Sequence, residues 1–136
     1  MKELTIDACV DSLPSVLAFV DAELEAADCP IETQMQIELA IEEIFTNIAH
    51  YAYGQECGKA TLRVEVSTDP ASATFTFLDH GVPYDPLAKE DPDVTLPTKQ
   101  RKIGGLGIFM TKKIMDDISY EYSDGQNILT LKKRIV

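Results

Sequence analysis

The sequence is short of positive charge and has no long apolar run, and each shortage excludes a class of partner. Lys and Arg number 12 against 23 Asp and Glu, so the formal net charge is −11. A surface this acidic repels nucleic acid and anionic lipid. No apolar run reaches the roughly 18 residues of a membrane span, and the N-terminus has no signal-peptide pattern. We therefore expect no direct nucleic-acid or membrane partner and a cytoplasmic location.

Cysteine is also scarce. The three cysteines are Cys9, Cys29 and Cys57, and no two of them form a Cys-x-x-Cys pair. An odd count with this spacing argues against a disulfide framework and against a zinc site. Free thiols fit a reducing compartment, so we expect three packed or incidental cysteines.

The length and the order of predicted elements indicate one domain over residues 1–136. A chain of 136 residues with 45% hydrophobic content can bury a core of ordinary size. Hydrophobic periodicity predicts the order strand, helix, helix, strand, strand, loop, helix, strand, strand. Consecutive hairpins of this kind predict an α+β fold, a two-layer sandwich. Its sheet is expected to be mixed but mostly antiparallel, with three helices on one face.

The regular pattern stops between Asp79 and Gly104. Four prolines fall in this stretch, and proline supplies no N–H and fixes φ. Long irregular segments in compact domains are commonly lids or binding loops. We therefore predict a lid at about residues 80–103.

The second predicted helix carries two functional candidates on one side. Its apolar residues form a stripe suited to a core, whereas Glu43, Asn47 and His50 gather on another side. The carbonyl oxygen of Asn47 is a ligand type that Mg²⁺ accepts. Glu43, one turn earlier, is placed to orient or deprotonate an attacking hydroxyl. A solvated helix face is the alternative interpretation.

Asp79 and Gly81 lie where a buried strand opens into the long loop. A carboxylate at a strand end can accept a hydrogen bond from an exocyclic amine such as that of adenine. Gly81 would let a flat ring approach the backbone. The alternative is an Asp-x-Gly turn without function.

A glycine-rich stretch, Gly104-Gly105-Leu106-Gly107, precedes the third predicted helix. Exposed backbone N–H groups and the positive end of a helix favour an anion, so the stretch predicts a phosphate cradle. It is not a Walker loop, because no Gly-Lys-Ser/Thr follows. Lys102, in a small basic cluster with Lys99 and Arg101, supplies local cations. The cluster can also be a plain basic loop.

Taken together, the motifs resemble the ATP-binding superfamily of gyrase, histidine kinases and MutL, known as GHKL or the Bergerat fold. Residues 43–47 resemble its N box, residues 79–81 its G1 box, and residues 104–108 its G2 box. Thr130, in the last strand, resembles the threonine that helps fix adenine, although a strand threonine needs no function. The resemblance implies that the cofactors are ATP and Mg²⁺.

Within that superfamily the chain most resembles the bacterial anti-sigma factor serine kinases, through the phrase at residues 47–53. The resemblance implies that Glu43 is the base or a positioning residue, Asn47 the Mg²⁺ ligand and Asp79 the adenine reader. It also implies that Gly105 and Gly107 bind phosphate. A sigma factor and an anti-anti-sigma (STAS-type) protein are the implied partners, and a homodimer the implied assembly. The alternative is a nucleotide-gated binding module without catalysis.

Overall fold

The computed structural model describes residues 1–53, 57–68, 71–88 and 105–135. Its helices are α1 (Leu13–Ala26), α2 (Ile31–Tyr51) and α3 (Gly105–Ile114). Its strands are β1 (Lys2–Asp7), β2 (Lys59–Thr68), β3 (Ala71–Asp79), β4 (Asp117–Ser123) and β5 (Gln126–Arg134). Two short 3₁₀ turns lie at Val10–Ser12 and Pro86–Ala88.

The strands form one sheet in the order β1-β2-β3-β5-β4. All neighbouring pairs in it are antiparallel. Two hairpins build most of it, and the β4–β5 hairpin turns at Asp124 and Gly125, both with positive φ. Gly adopts that conformation freely and Asp tolerates it, which is why such pairs join hairpin strands. The predicted α+β fold is confirmed, and the described sheet is antiparallel throughout.

The core lies between one face of the sheet and the helices. Strand side chains alternate between faces, and the inward residues of the central strands, such as Phe75, Phe77 and Leu131, are almost fully buried. They belong to one apolar cluster with buried residues of α1 and α2, including Leu24 and Phe45. The helices therefore cover a single face, as a two-layer sandwich requires.

The expectation of three free cysteines is wrong, because Cys9 and Cys57 form a disulfide. Asp7 pairs with Lys59 in the β1–β2 register, and the Ala8 N–H donates to the Gly58 carbonyl at 2.8 Å. This pairing brings together two cysteines that are 48 positions apart. Cysteine counting could not reveal it, because the register is a long-range property of the sheet. Cys29 is free.

Within the described ranges, no helix combines the length and the apolar character needed to cross a membrane.

Candidate functional site

A narrow cavity of about 30 Å³ lies between α2, the end of β3 and the start of β5. Asn47 and Asp79, which the sequence pointed to separately, both line it. Its remaining walls are largely apolar or aromatic and include Ile48, Phe77 and Tyr84. Small-molecule sites usually have this kind of lining, with apolar walls and a few convergent polar groups, although at about 300–1,000 Å³ they are larger than this cavity.

Asp79 is the polar group at the end of β3, and only 4% of its surface is exposed. Its Oδ1 accepts hydrogen bonds from the Gly81 N–H and from the Asn127 side-chain amide, both at 2.9 Å. Among the described residues, its Oδ2 has no hydrogen-bond partner. One oxygen of the carboxylate is therefore held by the protein, and the other is available to a donor in the cavity.

Gly81 has a structural role that differs from the predicted one. A Cβ at this position would overlap the carbonyl of Ala52 at the end of α2. The Val82 N–H donates to the same carbonyl at 2.8 Å. The space beside Gly81 is therefore taken by the backbone after α2. The glycine permits this close approach of two chain segments, and its predicted role beside a flat ring stays a prediction.

Asn47 and Glu43 lie one turn apart on α2, where side chains meet. The Asn47 Nδ2 donates to the Glu43 Oε1 at 3.3 Å. This bond sets the orientation of the amide, because a carboxylate can only accept. Among the residues that the structure describes, the Asn47 Oδ1 has no partner. It is an oxygen of the type that Mg²⁺ prefers, so the residues present fit that ion.

Glu43 also lies against the first turn of α3. A Cβ at Gly107 would overlap the Glu43 carboxylate. Both residues line a second, open hollow of about 380 Å³ between α2 and α3. A carboxylate near the beginning of a helix gains from the positive end of the helix dipole. Asn47 lines the narrow cavity and Glu43 lines the α2–α3 hollow, so their hydrogen bond lies between the two.

The glycine-rich stretch is described only in part. Gly105 is the first residue of α3, as expected for a helix entry, and Gly107 contacts Glu43. Lys102 and Gly104 lie outside the described residues, as does the predicted lid from residue 89 onward. Their predicted roles stay predictions.

The structure does not bring Thr130 to the cavity. Thr130 pairs with Thr76 on β3 and Ser119 on β4, on the sheet face away from the helices. The face toward the cavity carries Leu129 and Asn127. Side chains of a strand alternate, so a single position decides the face.

Asn127 is the site residue that sequence reasoning missed. It lies directly opposite Asp79 in the β3–β5 register and only 6% of its surface is exposed. One signal could have found it, because Asn127 is polar in an inward series that continues with the apolar Leu129 and Leu131. Its pairing with Asp79 could not be read from the sequence, since strand register is not local.

Asn127 also fixes the segment that follows β3. Its Nδ2 donates to the Val82 carbonyl at 2.9 Å, and its Oδ1 accepts from the Tyr84 N–H at 3.0 Å. The Tyr120 hydroxyl donates to the same oxygen. Burial raises the pKa of Tyr120, which keeps this donor protonated. Tyr84 thus forms part of the cavity wall, and its ring stacks on Tyr51 with centroids 5.5 Å apart.

The chain matches a family model over residues 6–133, that of the histidine kinase-like ATPase domain. It is 27% identical over 101 residues to the serine-protein kinase RsbW of Listeria monocytogenes. It is 29% identical over 100 residues to the RsbW of Bacillus cereus. The matches cover 71% of this chain, but only 63% and 61% of those relatives.

Solved structures share the fold. The chain superposes with a TM-score of 0.68 on the crystal structure of the RsbU and RsbW domains of Rv1364c from Mycobacterium tuberculosis. That match has 16% identity and covers 99% of this chain and 33% of that one. A histidine kinase domain from Erythrobacter litoralis matches with a TM-score of 0.58 and 16% identity, over 96% of this chain and 62% of the other. The family expected from the motifs is confirmed.

Proposed function

The chain belongs to the histidine kinase-like ATPase domain family, and from this we propose that it binds ATP with Mg²⁺ and phosphorylates a protein. The acceptor is a serine or threonine on an anti-anti-sigma protein of the STAS type, and the regulated partner is a sigma factor. Two curated relatives are named serine-protein kinases, which supports this class of reaction.

The observation that carries the proposal is the pairing of Asn47 with Glu43 beside the cavity that contains Asp79. Adenine places its exocyclic amine against the free oxygen of Asp79. The triphosphate runs toward Asn47 and the first turn of α3, where helix N–H groups favour an anion. When bound, Mg²⁺ neutralises phosphate charge, with the Asn47 Oδ1 as its protein ligand.

Glu43 has the position of a general base in this arrangement. An acceptor hydroxyl that enters through the α2–α3 hollow reaches the Glu43 carboxylate. The carboxylate takes the hydroxyl proton, the hydroxyl oxygen forms a bond to the γ-phosphorus, and the bond to the ADP oxygen breaks. Asn47 holds the carboxylate in place through its Nδ2.

The test is transfer of label from γ-labelled ATP to a panel of STAS-type proteins. The wild-type chain should label one of them, and Glu43→Gln should lower the rate by about 10²-fold or more, the usual contribution of a general base. ATP affinity should change little, because Glu43 does not line the base cavity. Glu32→Gln is the control, since Glu32 is an exposed carboxylate of the same helix that lines neither the cavity nor the hollow.

Two results would overturn the kinase mechanism. The first is labelling by Glu43→Gln at the wild-type rate. The second is ATP binding by the wild-type chain with no transfer to any member of the panel, which would favour a nucleotide-gated binding module.

A further inference from the structure

We propose that Asn127 is a positioning residue that sets the base selectivity of the cavity. It holds Asp79 so that the free carboxylate oxygen faces the 6-position of a bound purine, where an amino group donates and an oxo group cannot, and thereby favours a 6-amino purine over a 6-oxo purine. This inference rests on the proposed nucleotide site.

The side chain of Asn127 uses its full hydrogen-bonding capacity. An amide side chain has two N–H donors and an oxygen with two acceptor sites. The donors go to the Asp79 Oδ1 and the Val82 carbonyl. The oxygen accepts from the Tyr84 N–H and the Tyr120 hydroxyl. Each of its four bonds goes to a different residue, so Asn127 links the end of β3, the following segment and β4.

The direction of the amide is fixed by its partners. The Tyr84 backbone N–H can only donate, and an ionised Asp79 can only accept. The oxygen of Asn127 must therefore face Tyr84 and its nitrogen must face Asp79. A flipped amide would place oxygen against oxygen at Asp79 and leave two buried donors facing each other at Tyr84, which costs free energy at both positions.

The fixed amide decides what Asp79 offers to a ligand. Two N–H groups occupy Oδ1, so a base meets Oδ2, an acceptor without a proton. A 6-amino group donates to it. A 6-oxo group presents a second oxygen, and two acceptors in a buried site repel each other and stay unpaired. Sites that use polar groups in this way discriminate more strongly than apolar pockets do.

Asparagine at position 127 can hold the Asp79 carboxylate in one orientation because its side chain has both donors and an acceptor. An Asn127→Asp chain keeps the shape but has only acceptors. It faces Asp79 with a like charge and cannot donate to Val82. In Asn127→Ala the carboxylate of Asp79 can turn, and residues 82–84 lose two of their anchors. In both variants the base is no longer held against one defined oxygen.

The experiment is calorimetric titration of the whole chain with ATP and with GTP, each with Mg²⁺. The wild-type chain should prefer ATP by about 100-fold or more. Asn127→Asp and Asn127→Ala should each lower the ATP-to-GTP affinity ratio by about tenfold or more. Tyr120→Phe, which removes one bond to the Asn127 oxygen but leaves the Asn127–Asp79 bond in place, should lower the ratio by a smaller factor. Thr76→Val, on the outer sheet face of the neighbouring strand, should leave it unchanged.

The ATP-to-GTP affinity ratio separates a positioning role of Asn127 from a merely structural one. If Asn127→Ala weakens ATP and GTP equally, or changes neither, the proposal is overturned. Thermal unfolding of each variant without nucleotide shows whether that variant folds. If the Asn127 variants do not fold, Tyr120→Phe decides the question. A lower ATP-to-GTP affinity ratio in Tyr120→Phe supports the proposal, and an unchanged ratio opposes it. A wild-type chain that binds neither nucleotide would overturn the proposed function instead.

Discussion

At the scale of single residues, the site depends on two amides that each orient a carboxylate. Asn47 holds Glu43 on α2, and Asn127 holds Asp79 across the β3–β5 pair. Among the described residues, the Asn47 Oδ1 in the first pair and the Asp79 Oδ2 in the second have no hydrogen-bond partner. These two oxygens are the groups that we assign to the metal and to the base.

One residue-scale prediction concerns Glu38, on the α1-facing side of α2. Burial raises the pKa of Glu38 above its usual 4.5, and Asp21 and Glu25 raise it further. The folded state therefore holds this proton to higher pH than the unfolded state does. The free energy of unfolding therefore falls as the pH rises from about 4.5, the usual pKa of Glu38, through its raised pKa in the folded state.

Glu38→Gln removes this effect. We expect its thermal midpoint to exceed that of the wild-type chain by about 1–3 °C at pH 7, a small effect typical of a partly exposed side chain. The difference should vanish near pH 4 and shrink in high salt. Glu32→Gln, an exposed carboxylate on the same helix, is the control. An equal difference for Glu38→Gln at both pH values would contradict the explanation.

At the scale of elements, α2 connects the core to the site. One of its faces packs Ile41, Ile44 and Phe45 into the apolar cluster. Another face carries Glu43 and Asn47 toward α3 and the cavity. The backbone just after the helix contacts Gly81. A single helix therefore positions the residues that we propose for the phosphate end of a nucleotide, and the backbone after it contacts the segment that we propose for the base end.

Elements with a strong period could be predicted from the sequence, whereas relations between elements could not. The 3.6-residue period of α2 predicted both its apolar stripe and the common face of Glu43 and Asn47. The faces of β5 were harder to predict, because a shift of one residue exchanges the face that carries Thr130 for the face that carries Asn127 and Leu129. The Cys9–Cys57 bond depends on the β1–β2 register. Register is decided by contacts across the whole sheet, so local patterns do not determine it.

A pair of glycine substitutions tests the packing of these elements. At Gly81, an added Cβ meets backbone of Ala52, which cannot yield. Gly81→Ala should therefore lower the free energy of unfolding by about 1–3 kcal/mol. At Gly107 the added Cβ meets the mobile end of Glu43, and alanine favours a helix over glycine by up to about 1 kcal/mol.

Gly107→Ala should therefore keep or gain stability in urea unfolding while phosphotransfer falls, because Glu43 is displaced from Asn47. Equal loss of stability in both variants would contradict this account, as would wild-type transfer by Gly107→Ala.

At the scale of the whole molecule, the Cys9–Cys57 disulfide ties the turn after β1 to the segment that precedes β2. Closing a loop of 48 positions restricts the unfolded chain, by about 4 kcal/mol in the chain-entropy model. The bond lies outside the candidate cavity, so its effect belongs to stability.

Reduction should lower the free energy of unfolding by about 2–4 kcal/mol, and Cys9→Ser should lower it equally. A reductant should then have no further effect on Cys9→Ser. Cys29→Ser, which removes the free thiol, should respond to reductant as the wild-type chain does. Unfolding curves of the wild-type chain that coincide with and without reductant would contradict the prediction.

The central claim is that one cavity binds a magnesium nucleotide through residues of α2 and β3. Isothermal titration of the wild-type chain and of Asn47→Ala with ATP tests this claim most directly. Each is titrated with Mg²⁺ and again with the metal chelated. We predict that the wild-type chain binds ATP and that Asn47→Ala binds it about tenfold or more weakly with Mg²⁺. Without the metal, the two should bind alike. Absence of ATP binding by the wild-type chain, or equal affinities of the two chains in Mg²⁺, would contradict it.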